Sequence, residues 1–237
     1  MHVPDGFLDP ATSAATAAVA AAGVAVALRG ARRELDERTA PMAGLTAAFV
    51  FAVQMMNFPV AAGTSGHLVG GALTAVLVGP WTAAMGMTVV LIVQAVLFAD
   101  GGLTALGTNV TLMALVSVAV GYGAFRGLAA VLPRTRIGLL VSAGVGAFLS
   151  VPVAALVFVG LFAVGGVADV AVGTVALTMA GVHLLIGLGE AAITVAVLSA
   201  VLAVRPDLVR GARHLRRDTE LAPRPPVARS LPVGDAS

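Results

Sequence analysis

The sequence predicts an all-α integral membrane protein of about seven transmembrane helices, with its N-terminus outside and its C-terminus in the cytoplasm. Three observations predict it. Of 237 residues, 59% are hydrophobic and 11% charged, with a mean hydropathy of +1.00, whereas an ordinary soluble domain carries about 25% charged residues. Apolar runs near twenty residues recur, the length that crosses a hydrocarbon layer of about 30 Å. The basic residues also fall on alternate sides of those runs, as topology demands.

Read by apolar run and breaker, the spans lie near 11–28, 42–60, 66–79, 81–99, 104–125, 137–165 and 172–203. The first follows MHVPDGFLDP, whose two aspartates distinguish it from a secretory signal peptide, which needs a positively charged start. The third is short for a crossing and is divided from the fourth by Gly79-Pro80. Seven crossings fit best, with six or eight as alternatives. The transmembrane domain is expected over 1–204. Residues 205–237, rich in Arg and Pro, read as a largely disordered cytoplasmic tail because they lack apolar periodicity.

With seven spans and an outside N-terminus, all 14 basic residues, every one an arginine, fall on the inside. They are Arg29, Arg32, Arg33 and Arg38, then Arg126, Arg134 and Arg136, then seven from Arg205 onward. The outer segments hold Asp5, Asp9, Asp100 and Asp169. Basic charge is therefore a topology signal, and the pI of about 10.4 does not mark a nucleic-acid binder, which would carry its basic face on a folded soluble domain. The absence of cysteine excludes disulfides, thiolate metal sites and cysteine nucleophiles. Alanines 14, 18 and 22 form a small-xxx-small row of low specificity in so alanine-rich a segment.

Polar residues inside spans are costly and invite a functional reading. They are Gln54, Asn57, His67, Gln94, Asn109, His183 and Glu190, joined by His2 at the terminus. His2 stands out for its chelate geometry. A free terminal amine on Met1, the amide nitrogen of His2 and the His2 imidazole close a five- and a six-membered ring around one metal. Met1 is expected to remain, since initiator methionine is usually removed only before small residues. Displacing the amide proton requires a metal that favours planar nitrogen ligands, pointing to Ni(II) or Cu(II). His67, in GTSGHLVGG on the same side of the membrane, is the natural fourth ligand. The plainer readings are an accidental terminal histidine and a structural His67. His183 and Glu190 are two turns apart on one helix face, fit for a proton or cation relay or for buried hydrogen-bonding pins. No P-loop, HExxH or GxSxG is present.

MHVPDGFLDP, QMMNFPVAAGTSGHLVGGAL and HLLIGLGEAAIT, occurring in that order, resemble the CbiM/NikM family, the substrate-specific membrane components of energy-coupling factor transporters for cobalt and nickel. The resemblance covers residues 1 to about 203; the Arg/Pro tail is outside it. It implies a seven-helix protein, multi-pass in a bacterial cell membrane, whose N-terminus tucks back into the bundle. It implies Co(II) or Ni(II) as transported substrate, held by the Met1 amine, the His2 amide and imidazole, and His67. It also implies partners: a transmembrane coupling component, two cytoplasmic ATPases and a small accessory membrane subunit. The chain itself is then no enzyme. Both branches of the family share the ligands, and MHVPDGFL reads slightly more like the cobalt branch. The competing readings are an intramembrane metal-dependent hydrolase using His183 and Glu190, and a vitamin-specific or proton-coupled transporter component.

Overall fold

The computed structural model describes residues 2–37, 39–56, 58–61 and 64–213. Helix α1 spans Pro10–Glu34 and starts where Asp9, as N-cap, accepts the Thr12 amide at 2.6 Å, with Pro10 preset for the first turn. Then come α2 (Thr39–Gln54) and a short antiparallel pair, β1 (Phe58–Ala61) and β2 (Thr64–Gly66). After them follow α3 (Gly71–Val78), α4 (Pro80–Leu97), α5 (Leu106–Val131), α6 (Arg136–Gly165) and α7 (Val172–Val204). Within α5, Val110–Val116 widen into a π-helical stretch. Two 3-10 turns, Pro206–Leu208 and Arg210–Ala212, end the described chain.

The architecture is helical, as expected, with one hairpin that the apolar run 42–60 conceals. Among the described residues, five helices, α1 and α4 to α7, are long and apolar enough to cross a membrane. The run 66–79 is not a span: only eight of its residues are helical, about 12 Å of rise against about 30 Å of hydrocarbon. Residues 67–70 before it are coil, and non-helical backbone is tolerated at membrane depth where protein buries it. Gly79, at φ +103°, then turns the chain directly into α4.

The two ends of the bundle differ in charge. At one, buried Glu34 closes α1 and accepts the Thr82 amide at the start of α4 at 2.8 Å, while Arg210 donates to the Glu34 carbonyl at 3.2 Å. The Gly79 turn leaves room for that carboxylate, which a Cβ there would meet. Val209 and Ala212 are buried beside it, packed with Val76, Leu77 and Phe125. The tail from residue 214 lies outside the described residues, as do Arg38 and Asn57. At the opposite end the N-terminal segment enters the bundle, and the core there joins Val3, Phe7 and Leu8 to α4, α5, α6 and α7.

Candidate metal centre

Residues 2–8 run as an irregular segment, turning at Asp5-Gly6 where Gly6 adopts φ +72°, through a cradle made for it. Phe7 packs on Phe158 and Phe162 with ring centroids 5.8 and 5.3 Å away. The Asp9 amide donates to Gly165 O at 2.7 Å and Val167 N to Phe7 O at 3.1 Å. On the other side, Asn109 grips Val3 twice: its Oδ1 accepts the Val3 amide at 2.8 Å and its Nδ2 donates to Val3 O at 3.1 Å.

The loop Asp100-Gly101-Gly102-Leu103-Thr104 completes the cradle. Gly102 N donates to Val3 O at 2.9 Å, and Asp5 Oδ1 accepts the amide and hydroxyl of Thr104 at 2.7 and 2.6 Å. Those bonds, the hydroxyl's first, hold the Asp5 carboxyl below the usual carboxylate range. Gly101 adopts φ +94°, and a Cβ there would press on His2 and Asn109.

This cradle carries His2 into the bundle, where it is only 4% exposed. Its Nε2 lies 3.2 Å from Gln94 Oε1. An amide oxygen only accepts, so Nε2 donates to it. Nδ1, the atom that a six-membered ring through the His2 amide requires, sits 3.1 Å from Asp100 Oδ1. The His67 ring lies beside it, centroids 4.5 Å apart. His67 is fully buried, its Nδ1 donating to Leu68 O at 2.7 Å and its Nε2 lone pair unpartnered. Leaving such a buried group unpaired costs about 1–3 kcal/mol, so His67 Nε2 beside the His2 ring fits a cation.

The coil that presents His67 is fixed from both flanks. Gln54, at the end of α2, donates to Val69 O at 2.6 Å. Glu190, on α7, accepts the Val69 amide at 2.9 Å and the Gly70 amide at 2.5 Å, one on each oxygen. Its carboxyl oxygens thereby take up backbone donors at the start of α3. His183 shares the buried face of α7 with Glu190, and its Nδ1 donates to Met179 O at 2.8 Å. The two do not form a hydrogen-bonded relay; each is tied to different backbone.

Of the residues singled out in the sequence, the fold brings His2 and His67 together, with Gln94 and Asn109 holding His2 and its neighbour Val3 and with Gln54 and Glu190 holding the coil beside His67. Met1 lies outside the described residues. Asp100, Gly101 and Gly102 were missed as site residues: read only for charge and turn propensity, ADGGLT looks like an ordinary outer loop.

Comparison with known proteins gives a consistent result. A family model described as "Cobalt uptake substrate-specific transmembrane region" matches residues 2–208. A putative metal transport protein of Haloquadratum walsbyi is 39% identical over 223 residues, covering 88% of this chain and 93% of that protein. A putative fused nickel transport protein of Archaeoglobus fulgidus is 38% identical over 213 residues, covering 88% of this chain and 68% of the relative. Among solved structures, a transition metal transporter superposes with a TM-score of 0.78 at 31% identity, covering 91% of this chain and all of that one.

Proposed function

Because the chain belongs to the CbiM family of cobalt and nickel transport proteins, we propose that it is the substrate-binding membrane subunit of an ATP-driven importer, taking Co(II) in preference to Ni(II). The family consists of transport proteins, not enzymes, so the hydrolase reading falls, and a vitamin-specific role falls with it. In this proposal the energy comes from partners: a coupling membrane component, two cytoplasmic ATPases and a small accessory subunit. The arginine-bearing end faces the cytoplasm and the His2 end faces outward, in agreement with the sorting of charge across a bacterial cell membrane.

The observation that carries the reading is the approach of His2 and His67, 65 positions apart in sequence, to 4.5 Å between ring centroids. His67 offers an unpartnered nitrogen lone pair, and His2 Nδ1 has no hydrogen-bond partner. The Val3 amide is committed to Asn109, which leaves the amide of His2 for chelation. Together with the Met1 amine this makes four nitrogens, a donor set suited to a planar late divalent metal. His2 supplies the metal's second ring, His67 closes the plane from another element, and Gln94 and Asp100 orient the His2 imidazole.

The test is chemical acetylation of the N-terminal amine, which removes one lone pair and leaves the sequence intact. Acetylation and His2→Ala are expected to abolish high-affinity metal binding, and His67→Ala to weaken it. Unchanged affinity in the acetylated protein would overturn the proposed site. Competition between Co(II) and Ni(II) for the unmodified protein decides the preference.

A further inference from the structure

The buried face of α7 carries a third imidazole that the four-donor set leaves unused. His183 is fully buried, its Nδ1 proton is committed to Met179 O, and its Nε2 lone pair has no hydrogen-bond partner. His67 has the same arrangement, Nδ1 tied to a carbonyl and Nε2 free. Among the described residues, the buried imidazole nitrogens without a hydrogen-bond partner are one each on His2, His67 and His183. The other orphaned side-chain atoms there are Gln54 Oε1, Thr82 Oγ1 and the amide donor Gln94 Nε2. Two turns along the same buried face of α7, Glu190 holds the Val69 and Gly70 amides of the coil that carries His67, so His183 stands on the helix anchored to that coil.

A histidine kept only for structure places its buried nitrogens on partners. The surroundings of His183 are unsuited to a stray polar atom: Met179 and Ile186, one turn to either side, belong to the main apolar core. A backbone carbonyl holding Nδ1–H and presenting Nε2 is the arrangement that orients a metal-ligating imidazole.

We infer that His183 Nε2 is a second station for the cargo cation, receiving it from His67 when the N-terminal chelate opens. This rests on the metal-binding reading of His2 and His67. A cation released by the N-terminal segment cannot cross an apolar interior bare. Holding His67 while exchanging the N-terminal donors for His183 keeps an imidazole on the metal throughout. Neutral nitrogen donors select a late transition cation over Mg(II) or Ca(II). The hand-over needs no proton transfer at His183, because its Nε2 is already unprotonated. Two donors on separate elements close no chelate ring, so this station binds weakly and releases readily.

The experiment uses the full purified chain with Co(II) or Ni(II) alone as probe. His2→Ala is expected to abolish tight binding and leave a weak site. His183→Asn, which keeps a donor for Met179 O and deletes Nε2, should weaken that residual site at least about tenfold when combined with His2→Ala, since loss of an outer-shell partner alone costs 10–100-fold. On its own, His183→Asn should preserve tight affinity but slow uptake by the assembled transporter. His183→Gln, with an amide reaching the Nε2 position, should restore part of the residual affinity. The station is refuted if His2→Ala and the double variant bind equally well, or if His183→Asn lowers tight affinity together with the thermal transition of the metal-free protein, as a purely structural histidine would. A wild-type chain that binds neither metal tightly overturns the underlying metal site as well, a result distinct from a tight site that is intact and a weak one indifferent to residue 183.

Discussion

Asn109→Leu separates the cradle from the ligands, because Asn109 holds the N-terminal segment without touching the metal donors. The substitution keeps size and helical preference while deleting the acceptor for Val3 N at 2.8 Å and the donor to Val3 O at 3.1 Å. Val3 O retains the Gly102 amide at 2.9 Å, so one bond is lost there at a net cost of about 0.5–1.5 kcal/mol. The Val3 N–H is left buried without a partner, adding about 1–3 kcal/mol. The sum, about 1.5–4.5 kcal/mol, shifts the docking equilibrium of the N-terminal segment by about 10- to 2,000-fold. That factor bounds the loss of metal affinity from above, and the bound is reached when the metal-free variant is mostly undocked. Isothermal titration with Co(II) measures the affinity, and hydrogen exchange of the Val3 to Leu8 amides measures docking. Wild-type affinity together with wild-type protection would refute the account of the cradle.

Three further outcomes are expected. Glu190→Gln replaces one of two accepting oxygens by a donor facing an N–H, which should cost about 1.5–3 kcal/mol in thermal stability and lower metal affinity about 10–100-fold through misplaced His67; unchanged affinity would show that the coil needs no such anchor. Because hydrogen bonds from Thr104 depress the Asp5 carboxyl in the folded state, its contribution is present above the unfolded value of about 3.9 and is lost only as pH falls through the lower folded value; docking followed by hydrogen exchange should therefore hold from pH 7 to 5, while metal binding weakens over that range as the ligands take up protons. Glu34→Leu leaves the Thr82 amide unpartnered and should destabilise the bundle by about 1–3 kcal/mol without changing metal affinity, its carboxylate being at the opposite end; a parallel fall in affinity would contradict that placement.

The membrane class and the main helices were legible because hydropathy reports burial in lipid directly, and the break between α3 and α4 was legible through Gly79-Pro80. The candidacy of His2 and His67 was legible for a different reason: chelate rings follow from covalent geometry alone, and both histidines fall on one side of the expected topology. What stayed hidden depends on contacts between distant segments. Asp100, Gly101 and Gly102 acquire meaning only once Val3 lies against them. The coil at 67–70 is as apolar as a helix would be, so no hydropathy window distinguishes it; its backbone is satisfied by Gln54 and Glu190 from other elements. The pairing of His183 with Glu190 on one face was readable from spacing, whereas their separate backbone partners were not.

The double anchoring of that coil has a mechanical consequence. His67 hangs on a short bridge with one abutment on α2 and the other on α7, through Val69 O and the Val69 and Gly70 amides. Hydrogen bonds lose their strength over a few tenths of an ångström, so the bridge acts as a gauge of the distance between those two helices. Sliding packed helices past one another by 1–2 Å, an ordinary amplitude for such motions, exceeds its tolerance. A subunit that gripped the outside of the bundle and sheared α2 against α7 would thus loosen the hold on the cargo without ever reaching the metal.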